Sequence, residues 1–303
     1  MNWKSEISAA RDRIAGYAQV TPVMESNIPG YPVELKLEHI QHTGSFKARG
    51  AFNTLLSSDV PAAGVVAASG GNHGAAAAYA AQTLGYPAKI FVPELAGPSK
   101  IALIRQTGAD LSVVSGEYAN ALTAAQEHEA TTGAMQIHAY DAPATVAGQG
   151  TCFAEWDVQG LQADTVLVAV GGGGLIAGAL AWFGGARKVV AVEPETSCAL
   201  NAALRAGEPV DVSVSGIAAN ALGARRIGEI CFELAQGMSS VLVSDDAIAA
   251  AQLALWRAHR ILVEPAGATA LAALTSGAYR PEPGERVAVL VCGANIAPDP
   301  FAG

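Results

Sequence analysis

One lysine in an unusual setting is the first candidate for chemistry. Lys47 follows Ser45-Phe46 and precedes Ala48-Arg49-Gly50, in a chain of 303 residues that contains only six lysines. Most surface lysines lie among other charged residues, with the stem over the protein surface. Small and aromatic neighbours instead favour a partly apolar pocket, where desolvation disfavours the charged amine and makes it available as a nucleophile. Taken alone, the segment fits an ordinary lysine at the start of a helix equally well.

Two glycine-rich turns could bind anions. Ser69-Gly70-Gly71-Asn72-His73-Gly74 follows an apolar run and precedes an alanine-rich segment, and Gly171-Gly172-Gly173-Gly174 lies between Val166–Val170 and an apolar segment. Exposed backbone N–H groups at the N-terminus of a helix favour an anion. We therefore predict a phosphate at the glycine tetrad and a carboxylate or phenolate oxygen at the Asn72 turn. For the Asn72 turn, the alternative is a plain tight turn capped by asparagine.

A dinucleotide site is the main competing interpretation of the tetrad. Gly172, Gly174 and Ala177 match G-x-G-x-x-G/A, and Glu193 follows roughly 20 residues later, where a ribose-binding acid belongs. By itself this segment indicates an NAD-dependent oxidoreductase. A nicotinamide site, however, gives no role to Lys47 or to the Asn72 turn. A monophosphate cofactor with a reactive aldehyde accounts for all three features.

The elements that must position these residues alternate between strands and helices. Hydrophobic residues make up 51% of the chain and charged residues 15%, as in a sheet covered on both faces. Short apolar runs predict strands at 33–37, 64–68, 88–93, 111–114, 165–170, 188–193 and 286–292. Helical spacing predicts helices at 7–18, 74–84, 99–107 and 119–131. This alternation predicts an α/β fold with parallel sheets.

Charge and cysteine usage exclude several classes of partner and site. A net charge of −9 argues against nucleic acid or an anionic membrane as a partner. The first residues contain no apolar run of the signal-peptide type. The four cysteines form no C-x-x-C pair and have no histidine at metal-ligand spacing, so we expect neither a disulfide framework nor a metal site. These features predict a cytoplasmic protein.

Seven segments together resemble the fold-type II pyridoxal-phosphate enzymes, specifically the threonine/serine dehydratase and serine racemase family. They occur in the family's order and span nearly the whole chain: Thr43-Gly44-Ser45-Phe46-Lys47-Ala48-Arg49-Gly50-Ala51, Ser69-Gly70-Gly71-Asn72-His73-Gly74, Ala147-Gly148-Gln149-Gly150-Thr151, Val170-Gly171-Gly172-Gly173-Gly174-Leu175-Ile176-Ala177-Gly178, Val192-Glu193-Pro194-Glu195, Val263-Glu264-Pro265-Ala266-Gly267-Ala268 and Cys292-Gly293-Ala294-Asn295.

This resemblance implies a fold like the β subunit of tryptophan synthase, with two open twisted parallel-sheet lobes and pyridoxal 5′-phosphate in the cleft. Residues 1–55 and 143–303 would form the large cofactor-binding domain and residues 56–142 the small domain. The implied protein is a homodimer that converts an L-β-hydroxy amino acid to a 2-oxo acid and ammonia. Serine, threonine, hydroxyaspartate and aromatic β-hydroxy amino acids all remain open as substrates.

The resemblance also assigns roles to single residues. Lys47 would be the catalytic residue and carry the cofactor. The implied cofactor-binding residues are Phe46, Lys47, Asn72, Gly171, Gly172, Gly173, Gly174, Leu175, Gly216, Glu264 and Cys292. The implied substrate-binding residues are Ser69, Gly70, Asn72, His73 and Tyr140. A neutral thiol at Cys292, facing the pyridine nitrogen, would favour β-elimination over chemistry that needs a longer-lived carbanion.

Two departures from the family pattern bear on the reaction. Gly70 stands where serine racemases carry a second serine, so we expect inefficient racemisation. No aspartate follows Glu193 at the spacing of the family's divalent-cation site, so we predict no metal there. The alternatives are a serine racemase or hydroxyaspartate dehydratase of the same family, a β-replacing enzyme of the cysteine-synthase type, the NAD-dependent oxidoreductase and a binding protein without cofactor.

Overall fold

The computed structural model describes residues 1–96, 98–116 and 118–296. Its strands are β1 (Val23–Ser26), β2 (Val33–Leu37), β3 (Val65–Ala68), β4 (Ala88–Pro93), β5 (Asp110–Val114), β6 (Met135–Gln136), β7 (Thr165–Ala169), β8 (Lys188–Pro194), β9 (Ser240–Val243) and β10 (Val287–Val291). Its helices are α1 (Trp3–Ile14), α2 (Lys47–Leu56), α3 (Asn72–Leu84), α4 (Pro98–Arg105), α5 (Tyr118–Thr132), α6 (Pro143–Val158), α7 (Gly174–Phe183), α8 (Ala199–Ala206), α9 (Ala219–Leu222), α10 (Glu229–Leu234), α11 (Asp245–His259) and α12 (Pro265–Thr275).

The strands form two separate sheets. One has six strands in the order β1-β2-β10-β7-β8-β9, and the other has four in the order β5-β4-β3-β6. All pairings are parallel except that of the edge strand β1, which runs antiparallel to β2. The predicted fold class, an α/β structure with two parallel-sheet lobes, is confirmed.

Burial explains why the central strands read as continuous apolar runs. Every residue of β7, β10 and β3 is buried, which is expected of strands covered on both faces by crossover helices. Strands β3, β4, β5 and β6 all lie within residues 65–136, inside the predicted small domain. The domain boundaries themselves stay a prediction. Helix α2 ends at Leu56, one residue past the predicted boundary, and contributes Phe52 and Leu55 to the apolar core of the smaller sheet.

Glycines allow α2, α6 and α7 to pack backbone against backbone. A Cβ added at Gly148 of α6 would lie 2.6 Å from Cα of Gly50 on α2, and one at Gly178 of α7 would lie 2.6 Å from the backbone nitrogen of Gly150. The Gly148-Gln149-Gly150 segment is therefore a packing motif. It fixes the helix that begins with Lys47 against the layer that carries the glycine tetrad.

A cluster of buried charged side chains also fixes α2, the helix that begins with Lys47. Arg49 contacts Glu38 at 2.7 Å and Glu155 at 2.9 Å, and Lys36 contacts Glu155 at 2.5 Å. The side chains of Lys36 and Glu38 are completely shielded from solvent. Breaking one partner of such a cluster leaves an uncompensated buried charge, so α2 is strongly tied to β2. Among the described residues, no helix is long and apolar enough to span a membrane.

Candidate active site

Backbone hydrogen bonds to the end of β10 place Lys47 at the first position of α2. The amide of Phe46 donates to the carbonyl of Cys292 at 3.3 Å, and the amide of Ala294 donates to the carbonyl of Gly44 at 2.8 Å. Gly44 has a φ of +72°, a conformation that glycine adopts without strain. The lysine is thereby held at the carboxyl end of the larger sheet's central strand.

The amine of Lys47 lies in an apolar, partly enclosed setting. Its Nζ donates to the carbonyl of Ala139 at 2.6 Å and lies 5.2 Å from the centroid of the Phe46 ring. Desolvation lowers the pKa of Lys47 from 10.5 to about 8, and the nearby Cys292 opposes this shift only in part. The lowered pKa raises the fraction of neutral amine near physiological pH, and the neutral amine is the form that acts as a nucleophile or general base.

Asn72, the first residue of α3, is oriented by two neighbours from distant parts of the chain. Its Nδ2 donates to Oε1 of Glu264 at 2.6 Å, and its Oδ1 accepts from Nδ2 of Asn295 at 2.8 Å. Asn295 also donates to the carbonyl of Thr43 at 2.7 Å. A Cβ at Gly293 would lie 2.0 Å from Oε1 of Glu264, so the carboxylate fits only because position 293 is glycine.

The glycine tetrad forms a cradle at the N-terminus of α7. Gly173 is the N-cap, with a φ of +96° and no side-chain capping bond, so the N–H groups of the first turn can bind an anion. A Cβ at Gly173 would lie 2.5 Å from Cβ of Cys231, and one at Gly172 would lie 2.4 Å from the ring of Tyr140. The Tyr140 hydroxyl donates to the carbonyl of Arg226 at 3.4 Å, which holds the ring beside the cradle.

Cys292 presents a neutral thiol to the same cavity. Its Sγ donates to the carbonyl of Ala266 at 3.3 Å. Burial raises the pKa of the Cys292 thiol well above its usual range, and the charge of Glu264 adds to the effect. The group can therefore exchange a hydrogen bond with a neutral nitrogen, but it supplies no negative charge.

The turn before α3 offers backbone donors. The amide of Gly71 donates to Oγ of Ser69 at 3.2 Å, and α3 has no side-chain capping bond at its start. Nε2 of His73 donates to the carbonyl of Ile137 at 2.9 Å, and burial lowers the pKa of His73 to about 3. The imidazole is neutral and engaged with a backbone carbonyl, so this turn can bind a carboxylate through its N–H groups.

One cavity brings together most of the predicted site residues: Phe46, Lys47, Asn72, Tyr140, Gly171, Gly172, Gly173, Gly174, Leu175, Glu264 and Cys292. Ser69, Gly70 and His73 do not line it, although they belong to the turn that carries Asn72. Gly216 does not line it either: a Cβ there would lie 2.3 Å from Oγ1 of Thr196, so it allows close packing against Thr196. The carbonyl of Ala139 and the amide of Asn295 are contacts that the sequence analysis did not single out.

Glu193, the candidate ribose-binding acid, is used inside the fold. Its Oε1 accepts from the amide of Leu200 at 2.8 Å and its Oε2 from the amide of Asn201 at 2.9 Å, which satisfies the first turn of α8. Burial raises the pKa of Glu193 to about 7 against these bonds. Its carboxylate is thus turned toward α8, as a structural residue would be.

The donor set fits pyridoxal phosphate. The cradle at Gly173 suits a phosphate, the Lys47 amine suits the aldehyde carbon, the Asn72 amide suits a phenolate oxygen, and the neutral Cys292 thiol suits a pyridine nitrogen. A Cβ at Gly172 would meet the ring of Tyr140 and one at Gly173 would meet Cys231, so both positions of the cradle require glycine. The match involves four separate groups of the cofactor, each with a complementary group of the protein.

Comparison with known proteins agrees with this geometry. Residues 14–293 match a family model described as "Pyridoxal-phosphate dependent enzyme". Phenylserine dehydratase of Ralstonia pickettii is 37% identical over 98% of this chain and 94% of its own length. An L-threonine ammonia-lyase of Thermotoga maritima is 36% identical over 89% of this chain and 69% of its own. The structure of maize serine racemase has a TM-score of 0.91 at 30% identity and covers 97% of this chain and 93% of that one. The chain therefore belongs to the family of pyridoxal-phosphate-dependent enzymes.

Proposed function

We propose that this protein is an ammonia-lyase that dehydrates an L-β-hydroxy amino acid to a 2-oxo acid and ammonia. The observation that carries the proposal is the desolvated amine of Lys47, placed in one cavity with the glycine cradle and the Asn72 amide. The 36–37% identity to an L-threonine ammonia-lyase and to phenylserine dehydratase supports the same reaction class. Bound pyridoxal phosphate supplies an electron-withdrawing ring that stabilises negative charge at the substrate Cα.

Each proposed cofactor contact uses a group with the right chemistry. The N–H groups of Gly171–Gly174 and Leu175 would hold the phosphate, with the α7 dipole in their favour. Nδ2 of Asn72 would donate to the phenolate oxygen, and Phe46 would pack beside the ring. Sγ of Cys292 would face the ring nitrogen. Because that thiol is neutral, it does not enforce the protonated ring that a carboxylate would.

Lys47 is proposed as the group that moves the substrate's Cα proton. A primary amine with a pKa of about 8 is about one-tenth neutral at pH 7, and this fraction, which rises with pH, can accept a proton and return it. Its position, fixed by the backbone of α2 and by the carbonyl of Ala139, gives it access from one side of the cavity. The N–H groups of Gly70, Asn72 and His73, with the hydroxyl of Ser69, would bind the substrate carboxylate, because the amide of Ser69 itself donates to the carbonyl of Phe91 at 3.0 Å. Tyr140 would close the cavity.

A serine racemase is the second candidate, favoured by the likeness to maize serine racemase. Racemisation needs a proton donor on the face opposite Lys47, and Gly70 supplies none. A Cβ at Gly70 would lie 2.2 Å from Cβ of Ala96, so a serine there requires Ala96 to move. We expect Gly70→Ser to gain racemisation only when combined with Ala96→Gly, as measured by chiral chromatography.

The decisive experiment measures products and the modified residue together. L-Serine, L-threonine and L-phenylserine are incubated with the holoenzyme, and 2-oxo acid, ammonia and D-amino acid are quantified. Borohydride reduction followed by peptide mapping is expected to place the cofactor on Lys47, and Lys47→Ala is expected to abolish turnover. Label on another lysine would refute the assignment of Lys47. A D-amino acid as the main product would replace the lyase with the racemase.

We also propose that the protein is a cytoplasmic homodimer. Each chain would consist of a large domain, residues 1–55 and 143–303, and a small domain, residues 56–142. Leu253 and Trp256, one turn apart on α11, are 45% and 44% exposed, as expected of side chains covered by a second copy. The cysteines are free thiols, which suits a reducing compartment. Light scattering after size-exclusion chromatography gives the mass: twice 30.7 kDa supports the dimer, and 30.7 kDa refutes it.

A further inference from the structure

The turn formed by residues 138–141, called here the histidine turn, contacts two parts of the lysine cavity. The carbonyl of Ala139 accepts from Nζ of Lys47 at 2.6 Å. The ring of Tyr140 lies against the glycine cradle, since a Cβ added at Gly172 would be 2.4 Å from that ring. The conformation of the histidine turn therefore sets the position of the amine relative to the cradle.

Asp141, the last residue of the histidine turn, connects it to α10. Its Oδ2 accepts from the amide of Glu229 at 3.0 Å and its Oδ1 from the amide of Ile230 at 3.0 Å, which satisfies the first turn of that helix. The amide of Gly228, just before α10, donates to the carbonyl of Gly172 at 3.1 Å. The histidine turn, α10 and the glycine tetrad are thus linked by consecutive hydrogen bonds.

The side chain of His138 holds the histidine turn in shape. Its Nδ1 accepts from the amide of Asp141 at 2.8 Å and from the amide of Tyr140 at 3.3 Å. Because both donors are backbone N–H groups, Nδ1 carries no proton and the neutral ring has its proton on Nε2. The same pattern occurs in Asx turns, where the side-chain oxygen of asparagine or aspartate accepts from amides further along the chain. Here an imidazole nitrogen takes the place of that oxygen.

The segments on both sides of the histidine turn are fixed by contacts that do not use the imidazole of His138. The amide of Ile137 donates to the carbonyl of Val66 at 3.1 Å, and the carbonyl of Ile137 accepts from Nε2 of His73 at 2.9 Å. On the other side, the hydroxyl of Thr145 in α6 donates to the backbone carbonyl of His138 at 3.1 Å. Loss of the Nδ1 acceptor should therefore loosen the turn and leave the strand and the helix that flank it in place.

The acceptor role makes the histidine turn sensitive to pH. His138 is exposed, so its ring can take up a proton from solvent, and a proton on Nδ1 would face two amide donors. Desolvation lowers the pKa of His138 below 6.5, an effect that Asp141 opposes and Lys47 reinforces. His73 and the ring of Tyr140 also face the imidazole. The turn is therefore intact at neutral pH and loses its acceptor as the pH falls below 6.5.

We infer that His138 is a positioning residue: its Nδ1 fixes the turn that presents Ala139 to the amine of Lys47 and holds an aromatic ring against the glycine cradle. The inference rests on the proposed cofactor contacts and goes beyond them, because His138 does not line the cavity. Its effect on pyridoxal phosphate is transmitted by its neighbours. Since a proton on Nδ1 and the intact turn exclude each other, uptake of that proton weakens cofactor binding.

The first test measures binding of pyridoxal phosphate to the apoprotein at pH 8. His138→Asn supplies an oxygen that can accept from the same amides, whereas His138→Ala supplies no acceptor. We expect His138→Ala to bind the cofactor at least about tenfold more weakly than the wild type and His138→Asn to stay within about threefold of it. His128→Asn, in α5 beside Phe91, is the matched control and should bind as the wild type does. Equal weakening in both variants at position 138, or no weakening in His138→Ala, would overturn the inference.

The second test uses pH to separate positioning from a purely structural role. The ratio of Kd values for the wild type and His138→Asn cancels the titration of Lys47 and of the cofactor, which both proteins share. We expect this ratio to be constant between pH 7 and 8 and to rise by at least about threefold at pH 5, because asparagine does not titrate. The corresponding ratio for His128→Asn should stay constant. This comparison decides the question even if His138→Ala does not fold, and a constant ratio for His138→Asn would overturn the inference.

Neither test depends on turnover, so this inference and the lyase function can fail separately. The expected ratios without 2-oxo acid from any hydroxy amino acid would refute the lyase and support the role of His138. Active dehydration with a constant ratio of Kd values would refute the role of His138 alone.

Discussion

The titration of Lys47 in the cofactor-free protein is the most direct consequence of the site's geometry. Desolvation lowers the pKa of this amine from 10.5 to about 8. This change corresponds to about 300-fold more neutral amine at any pH below both values. Since only the neutral amine reacts with an acylating reagent, the initial labelling rate of Lys47 should rise with pH and reach half its maximum near pH 8.

Competitive acetylation with mass spectrometry reports all accessible lysines of one sample, which provides an internal control. Lys188 has its pKa raised by Tyr279 and Glu285, so its labelling should begin at much higher pH. Each rate is normalised to its own high-pH plateau, which removes differences in access. Replacing Cys292 by aspartate adds a negative charge beside the amine and should move the Lys47 midpoint upward. A wild-type midpoint at pH 10 or above, or no shift in Cys292→Asp, would refute the argument that burial tunes this lysine.

Three further outcomes follow from single contacts. Gly173→Ala should weaken pyridoxal phosphate binding by about 100-fold in a titration of the apoprotein, because position 173 has a φ of +96° and abuts Cys231. An unchanged affinity would show that the glycine tetrad does not bind the phosphate. Because the pKa of His73 falls from 6.5 to about 3 on folding, the free energy of unfolding should decrease as pH falls below 6.5, by about 3 kcal/mol at pH 4.5. The pH dependence of stability in urea titrations should therefore be steeper for the wild type than for His73→Gln, and parallel profiles would contradict this. Gly148→Ala, which would lie 2.6 Å from Cα of Gly50, should lower the free energy of unfolding by about 1–3 kcal/mol in thermal or urea denaturation, and no loss would show that α2 and α6 can separate freely.

Strands buried on both faces could be predicted from the sequence because nearly all of their side chains are apolar. The run predicted at 165–170 exceeds the fully buried β7 by one residue, and that at 286–292 exceeds the fully buried β10 by one residue at each end. β1 and β9 have four residues each with only one buried. Their apolar stretches, Val23-Met24 and Val241–Val243, are shorter than the runs from which strands were predicted, and β1 is the antiparallel strand of the described sheets. Helix α1 begins four residues earlier than predicted because Asn2 caps it, accepting from the amide of Ser5.

The candidate site was predictable where chemistry is local and unpredictable where it is not. Lys47 and the glycine tetrad could be singled out from their immediate neighbours in sequence, the former from small and aromatic residues and the latter from four consecutive glycines. The Asn72–Glu264 and Asn72–Asn295 contacts join residues 192 and 223 positions apart, and nothing in composition or periodicity pairs them. Gly216 has a φ of +83°, and a Cβ there would lie 2.3 Å from Oγ1 of Thr196; its role at the cofactor stays a prediction.

The carboxyl ends of three strands meet at the cavity. This arrangement explains why few charged side chains are needed there to bind anionic groups. β3 leads to the Asn72 turn, β7 to the tetrad and β10 to Cys292, and the carboxyl ends of parallel strands are where ligand sites form in such sheets. Backbone N–H groups can bind anions there without a fixed charge, which leaves the amine of Lys47 as the basic side chain of the cavity. If the proposed roles hold, the amine of Lys47 beside the uncharged thiol of Cys292 removes a proton from Cα, and Gly70 has no side chain that could deliver one to the other face. Elimination needs only the first of these two abilities, whereas racemisation needs both.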